Sequence, residues 1–169
     1  MATSAAKRVG HLSDRGFRRL FEWGALAAVL LVLAAVFLHW AHRVQGQAEL
    51  AAVQETLGAL RIAGVLADLK ARLPGAAASV NPEPNPFELL RVPPTNYLGA
   101  MDADRALTAS PGHWLFERDC RCVVYVPLDP DWLSSPSGGA SLRFRISTDA
   151  GPVQLVAMEP YRWLGQRVQ

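Results

Sequence analysis

The side chains best suited to chemistry in this chain are Cys120 and Cys122, spaced as C-x-C. Such a pair can stay as free thiols, join another chain through a disulfide, or close a local one. Residues two apart in a strand are awkward to bridge, because a disulfide needs its Cα atoms and Cβ vectors in a narrow range. A structural zinc site typically takes four ligands, and two cysteines supply only half of them. His39 and His42 stand one helical turn apart but far from the cysteines along the chain, so no metal site is expected. His113 follows Pro111-Gly112 and reads as a turn residue rather than a base. The acid pairs Asp102/Asp104 and Asp129/Asp131 lack the EF-hand pattern and read as solvated turns. There is no G-x-S-x-G, P-loop, G-x-G-x-x-G or H-E-x-x-H. The expectation is a protein that is not an enzyme and carries no cofactor.

The elements around these residues divide the chain in two. Half of the 169 residues are hydrophobic, and mean hydropathy is +0.11, too apolar for an ordinary soluble domain. All 12 prolines lie between Pro74 and Pro160. Because an interior proline costs a helix about 3 kcal/mol, the first 73 residues are free to be one long helix and the rest are rich in loops. The formal net charge of +2 hides an asymmetry: residues 1–22 sum to +3 and residues 23–169 to −1. The larger part has no dense basic stripe with interleaved aromatics, so nucleic acid is not an expected partner.

Trp23–Ala41 carries no formal charge over 19 residues, and Trp23–Leu38 is apolar throughout. A helix of this length rises about 28 Å, close to the hydrocarbon thickness of a bilayer. Trp23 and Trp40 bracket it at the depth that indoles prefer, and the basic residues before it place the N-terminus in the cytoplasm. The run is longer than a secretory h-region and lacks a good small-residue cleavage pair. A retained bacterial inner-membrane anchor with a periplasmic C-terminal domain is the expectation. Gly24 and Ala28 form a small-xxx-small pair through which helices in lipid can approach, although alanine is common throughout the chain.

Residues 44–73 keep a helical period. Leu50, Val53, Leu57, Leu60, Gly64 and Leu69 fall near one stripe, extended by Leu66 and Leu73, while Glu49, Glu55, Arg61, Asp68, Lys70 and Arg72 lie mostly off it. This predicts a single helix from about Phe17 to Leu73, ended by Pro74-Gly75. Residues 74–86 have linker composition, and Phe87–Val92 is a short turn of helix capped by Asn85. Trp114–Glu117 and Cys122–Pro127 flank a polar turn and read as a hairpin. Leu142–Ile146 alternates, with Arg143 and Arg145 outward, and Val153–Met158 is a fourth run. The expected fold class is α+β, a long N-terminal helix packed on a small antiparallel sheet. Its parts are a basic leader (1–16), a transmembrane helix (17–43), an amphipathic continuation (44–73) and a periplasmic domain (74–169).

A basic leader ending in Arg15-Gly16-Phe17, then Glu22, a long apolar helix and a small sheet resembles the type IV pilin and type II secretion pseudopilin family. Stretches such as Asn85-Pro86-Phe87-Glu88-Leu89-Leu90, Pro93-Pro94-Thr95-Asn96-Tyr97-Leu98-Gly99, Pro111-Gly112-His113-Trp114-Leu115-Phe116 and Val123-Val124-Tyr125 are similar to stretches of pilin-like secretion and pilus-biogenesis proteins. The resemblance implies a pilin-like fold, a prepilin-peptidase junction at Gly16 and Phe17, methylation of the new N-terminus, and Glu22 as an assembly glutamate. It also implies the inner membrane and other pilin-like or assembly proteins as partners, with homo-oligomers formed through the N-terminal helix. Two departures stand out: Glu22 is the sixth residue after Gly16 where the family usually has the fifth, and Arg18 and Arg19 occupy positions that are normally apolar. The alternative is a membrane-tethered periplasmic binding module whose region 85–112 captures a ligand. A redox protein using Cys120 and Cys122 ranks third.

Overall fold

Between residue 6 and Pro74 nothing in the sequence interrupts helical hydrogen bonding, and the computed structural model carries helix α1 over Ala6–Ala71. The structure describes residues 6–73, 85–147 and 154–168, with side chains from residue 18 onward. The helix therefore starts earlier than the expected Phe17. A single glycine such as Gly16 costs a helix only about 1 kcal/mol, too little to end one flanked by good helix formers. Pro74-Gly75 and most of the expected linker, 74–84, lie outside the described residues. The chain divides into two units, Met1–Val44 and Gln45–Gln169.

In the second unit α1 buries one face. Gly46, Glu49, Leu50, Val53, Leu57, Leu60 and Gly64 recur every three or four residues and are all buried, the spacing of one helical stripe. Two sequence expectations are corrected here. Glu49 lies on the buried face, where its carboxylate accepts hydrogen bonds from the sheet. Leu66, Leu69 and Leu73 are exposed, so the buried stripe ends at Gly64.

The sheet beneath this stripe is built from β1 (Tyr97–Met101), β2 (His113–Glu117), β3 (Cys122–Val126), β5 (Leu142–Ser147) and β6 (Gln154–Ala157) in the order β1-β2-β3-β5-β6. The β2–β3 hairpin is in register from His113↔Val126 to Glu117↔Cys122. Strand β5 pairs antiparallel with both β3 and β6. The sheet is mixed rather than antiparallel, because β1 runs parallel to β2. Parallel neighbours need a crossover of about a dozen residues. Residues 102–112 provide one, containing the short helix α2 (Ala103–Ala106) and the turn at Pro111-Gly112. A second, three-stranded sheet joins β4 (Leu133–Ser134), β7 (Arg162–Trp163) and β8 (Gln166–Arg167). Leu164 and Gly165, both at positive φ, form the tight turn between β7 and β8.

Strand alternation sorts the side chains between two faces. Trp114 and Phe116, Val123 and Tyr125, Leu142 and Phe144, and Leu155 point into the main core with Leu50, Val53, Leu57 and Leu60 of α1. Trp132, Tyr161, Trp163 and Val168 complete it. The Trp163 indole N–H donates to the Gly46 carbonyl at 2.8 Å. Asn85 caps the 3-10 turn Pro86–Leu89 as expected, accepting from the Phe87 amide at 3.1 Å, and its amide nitrogen donates to the Tyr97 hydroxyl at 2.9 Å. On the other face, Leu115, Cys122 and Val124 pack with Ala106 of α2 as a small second cluster.

Candidate functional site

Within the first unit, the large apolar side chains from Leu20 to Leu38 are all more than half exposed, among them Trp23 at 72% and Leu31 at 71%. A helix that is apolar all round needs an apolar medium on every side. Among the described residues one helix is long and apolar enough to cross a membrane, with Arg18 to Ala71 as the candidate stretch. Inserting leucine, isoleucine, valine or phenylalanine at a helix centre is favourable by about 0.3–0.6 kcal/mol each, which is the energetic basis for calling such a run a candidate span. At its N-terminal edge Arg18 pairs with Glu22 at 3.3 Å, four residues apart and well exposed. Pairs of this kind contribute only about 0.3–0.5 kcal/mol. Gly16 and Phe17 lie within α1, and their side chains fall outside the described residues. His39 and His42 belong to the first unit and the cysteines to the second.

On the sheet face turned away from α1, the strands present Glu117, Cys122 and Arg143. A cleft of about 460 Å³ is lined by Ala106 and Leu107 of the crossover, Arg143 of β5, Ser137 from the loop before it, and Glu159 and Tyr161 after β6. Part of region 85–112 thus lines the cleft. The Tyr161 hydroxyl accepts from the Arg143 backbone N–H at 3.1 Å, and burial raises its pKa. Glu159 accepts from the Ser137 hydroxyl at 2.9 Å, bracing the loop. From this cleft the Arg143 guanidinium reaches Glu117 at 3.1 Å, a carboxylate almost fully withdrawn from solvent at the end of β2.

Glu117 pairs in register with Cys122, and the β2–β3 turn returns Cys120 to the same place. Cys120 and Cys122 are joined in a local disulfide, with Cα atoms 5.2 Å apart. Arg121 between them adopts a positive φ of 52°, the left-handed conformation that lets the turn curl its two sulfurs together. The carboxylate and the two sulfurs lie within 4.8 Å of one another. Cys122 is fully buried and Cys120 half-buried. Sequence reasoning found the cysteines but missed Glu117 and Arg143. The signal was present in the alternation: Leu115 and Glu117 share one face of β2, and Arg143 shares that face on β5, two strands away.

The other polar residues singled out in the sequence make local contacts. His113 Nδ1 sits 2.7 Å from the Pro111 carbonyl, inside its turn. Asp129 accepts from the Asp131 amide at 2.9 Å, and Asp102 pairs with Arg118 at 3.1 Å. Compared with protein-family models, curated proteins and solved structures, the chain matches none of them. Fold and site together define an α+β protein with one long apolar N-terminal helix, a candidate membrane span, and a small mixed sheet.

Proposed function

We propose that this chain is a single-pass inner-membrane component of pilin-like build, with a structural role in assembling a type II secretion or type IV pilus system. The observation that supports this reading is α1 itself: one helix exposes apolar side chains around its whole circumference over Leu20–Leu38, then lends one stripe to the core of a small α+β domain. The basic residues before the span orient the N-terminus to the cytoplasm and the sheet domain to the periplasm. Gly16–Phe17 is the processing junction in this reading, and Glu22 serves assembly.

Photocrosslinking from Gly24 or Ala28 in native membranes tests it, together with the mass of the purified chain. The expected result is crosslinks to copies of this chain or to other pilin-like helices. A mature chain beginning at N-methylated Phe17 would support entry into a filament. Crosslinks to lipid alone would overturn the assembly role. The cleft beside Arg143 and Tyr161 favours the second reading, a membrane-tethered module that captures a ligand in the periplasm.

A further inference from the structure

We infer that the β2–β3 turn is a redox-gated metal site: reduction of Cys120–Cys122 frees two thiolates that, with the Glu117 carboxylate, bind one soft or borderline divalent cation such as Zn²⁺. The Glu117 carboxylate already lies within 4.8 Å of both sulfurs, which the disulfide holds together, and the three groups come from different parts of one hairpin. Around a tetrahedral zinc with bonds of roughly 2.0–2.3 Å, neighbouring ligand atoms lie roughly 3.3–3.8 Å apart, so after reduction the sulfurs part by roughly 2 Å while the carboxylate moves in by about an ångström. Two cysteines fall short of a zinc site, and Glu117 is the third ligand they lack. Three protein ligands leave one position of the tetrahedron for water or an outside ligand.

Gating follows from the electron count. In the disulfide the sulfurs bear no charge, and the buried Glu117 is paired with Arg143. A dithiol reductant attacks the half-buried Cys120 sulfur, forms a mixed disulfide and releases Cys122 as a thiolate. The reductant's second thiol then displaces Cys120, leaving the reductant oxidised and two electrons and two protons on the pair. Binding the cation releases both protons to solvent. Without a cation, the ionised dithiol would place three negative charges together beside one ion-paired arginine, an arrangement opposed by burial and like-charge repulsion. A divalent ion offsets that charge, so the reduced turn and the metal stabilise each other.

The full-length protein, reduced with dithiothreitol in detergent and desalted anaerobically, is titrated with Co²⁺ as a spectroscopic stand-in for zinc. The expected result is one Co²⁺ per chain, a sulfur-to-cobalt charge-transfer band and tetrahedral d–d bands, all displaced by Zn²⁺ and all missing in the oxidised protein. Cys120→Ser and Glu117→Gln should each weaken binding by about tenfold or more, with circular dichroism confirming that each variant is folded. The Cys120→Ser comparison stands alone if Glu117→Gln does not fold, because Cys120 sits in the turn. Absence of a charge-transfer band in the reduced chain would overturn the proposal. So would equal binding by the oxidised chain, or binding unchanged in a folded Glu117→Gln.

Discussion

Tyr125 donates its hydroxyl proton to Glu49 across 76 residues of sequence, at 2.7 Å and out of contact with bulk water. The same carboxylate oxygen accepts the Leu128 amide at 2.9 Å, so one side chain of α1 clasps both β3 and the segment that follows it. Glu49 Oε2 is buried with no hydrogen-bond partner. The clasp is therefore one-sided, and its energy rests on two donors sharing one oxygen.

Glu49→Leu should destabilise the domain by about 2–3 kcal/mol, because it leaves the Tyr125 hydroxyl and the Leu128 amide buried and unpaired. Tyr125→Phe should cost about 1 kcal/mol. The double variant should cost less than the sum, since the two residues share one interaction. Thermal or urea melts of the purified variants measure all three.

The buried stripe of α1 has a sharp end. Leu57 is fully enclosed, whereas Leu69 is 56% exposed. Leu57→Ala should cost about 2–5 kcal/mol through lost transfer energy and the cavity left behind. Leu69→Ala should fall within about 0.5 kcal/mol of wild type, as expected of an exposed site. Equal losses in the two variants would show that Leu69 is covered in solution.

Alkali should unfold this protein through its tyrosines. All three, Tyr97, Tyr125 and Tyr161, have pKa values raised above 10.0, in each case chiefly by burial. The hydrogen bond to Glu49 raises Tyr125 further. A raised folded-state pKa means that the unfolded chain loses its protons first. Stability from this source is complete below about pH 10 and declines as pH rises above it. Tyrosinate absorbance should appear together with loss of circular dichroism. An earlier, independent titration of one tyrosine would show that it is more exposed than the structure has it.

Glu117 and Arg143 should behave as a buried pair rather than a surface one. Replacing the arginine (Arg143→Met) strands a carboxylate that is only 4% exposed and should cost about 3–5 kcal/mol. Adding Glu117→Gln should recover part of that loss, since a neutral amide is cheaper to bury than an unpaired charge.

Charges placed in the apolar run test membrane insertion. Leu30→Arg with Leu33→Arg adds about 6–8 kcal/mol to insertion at the helix centre. The double variant should be extracted by alkaline carbonate, whereas the wild-type chain should remain with the membrane.

What was legible in the sequence followed from local rules. The apolar run needed only hydropathy. The hairpin announced itself by two β-branched and aromatic runs around a polar turn, and Asn85 before Pro86 named its own cap. What escaped depended on distant partners. Strand β1 contains Gly99 at positive φ and follows Pro93-Pro94, so it looks like loop. It becomes a strand only because the crossover returns β2 alongside it. Strands β7 and β8 are two residues each, too short to show a period. Glu49 was read as solvent-facing because charge is usually exposed; it is instead held inward by Tyr125, far away in sequence. Arg143 does point away from the core face, as its alternation says, but there it is half-buried against Glu117, a partner the alternation of one strand cannot reveal.

The hydrogen bond from Trp163 to Gly46 joins residues 117 apart. During synthesis at about 5–20 residues per second, the base of the helix waits roughly 6–23 s for that partner to be made. Over that interval Leu50, Val53, Leu57 and Leu60 are already present, with the strands that will cover them still arriving. The nascent domain thus carries a sticky helix throughout its translation, and its yield in the cell should depend on a chaperone shielding that face.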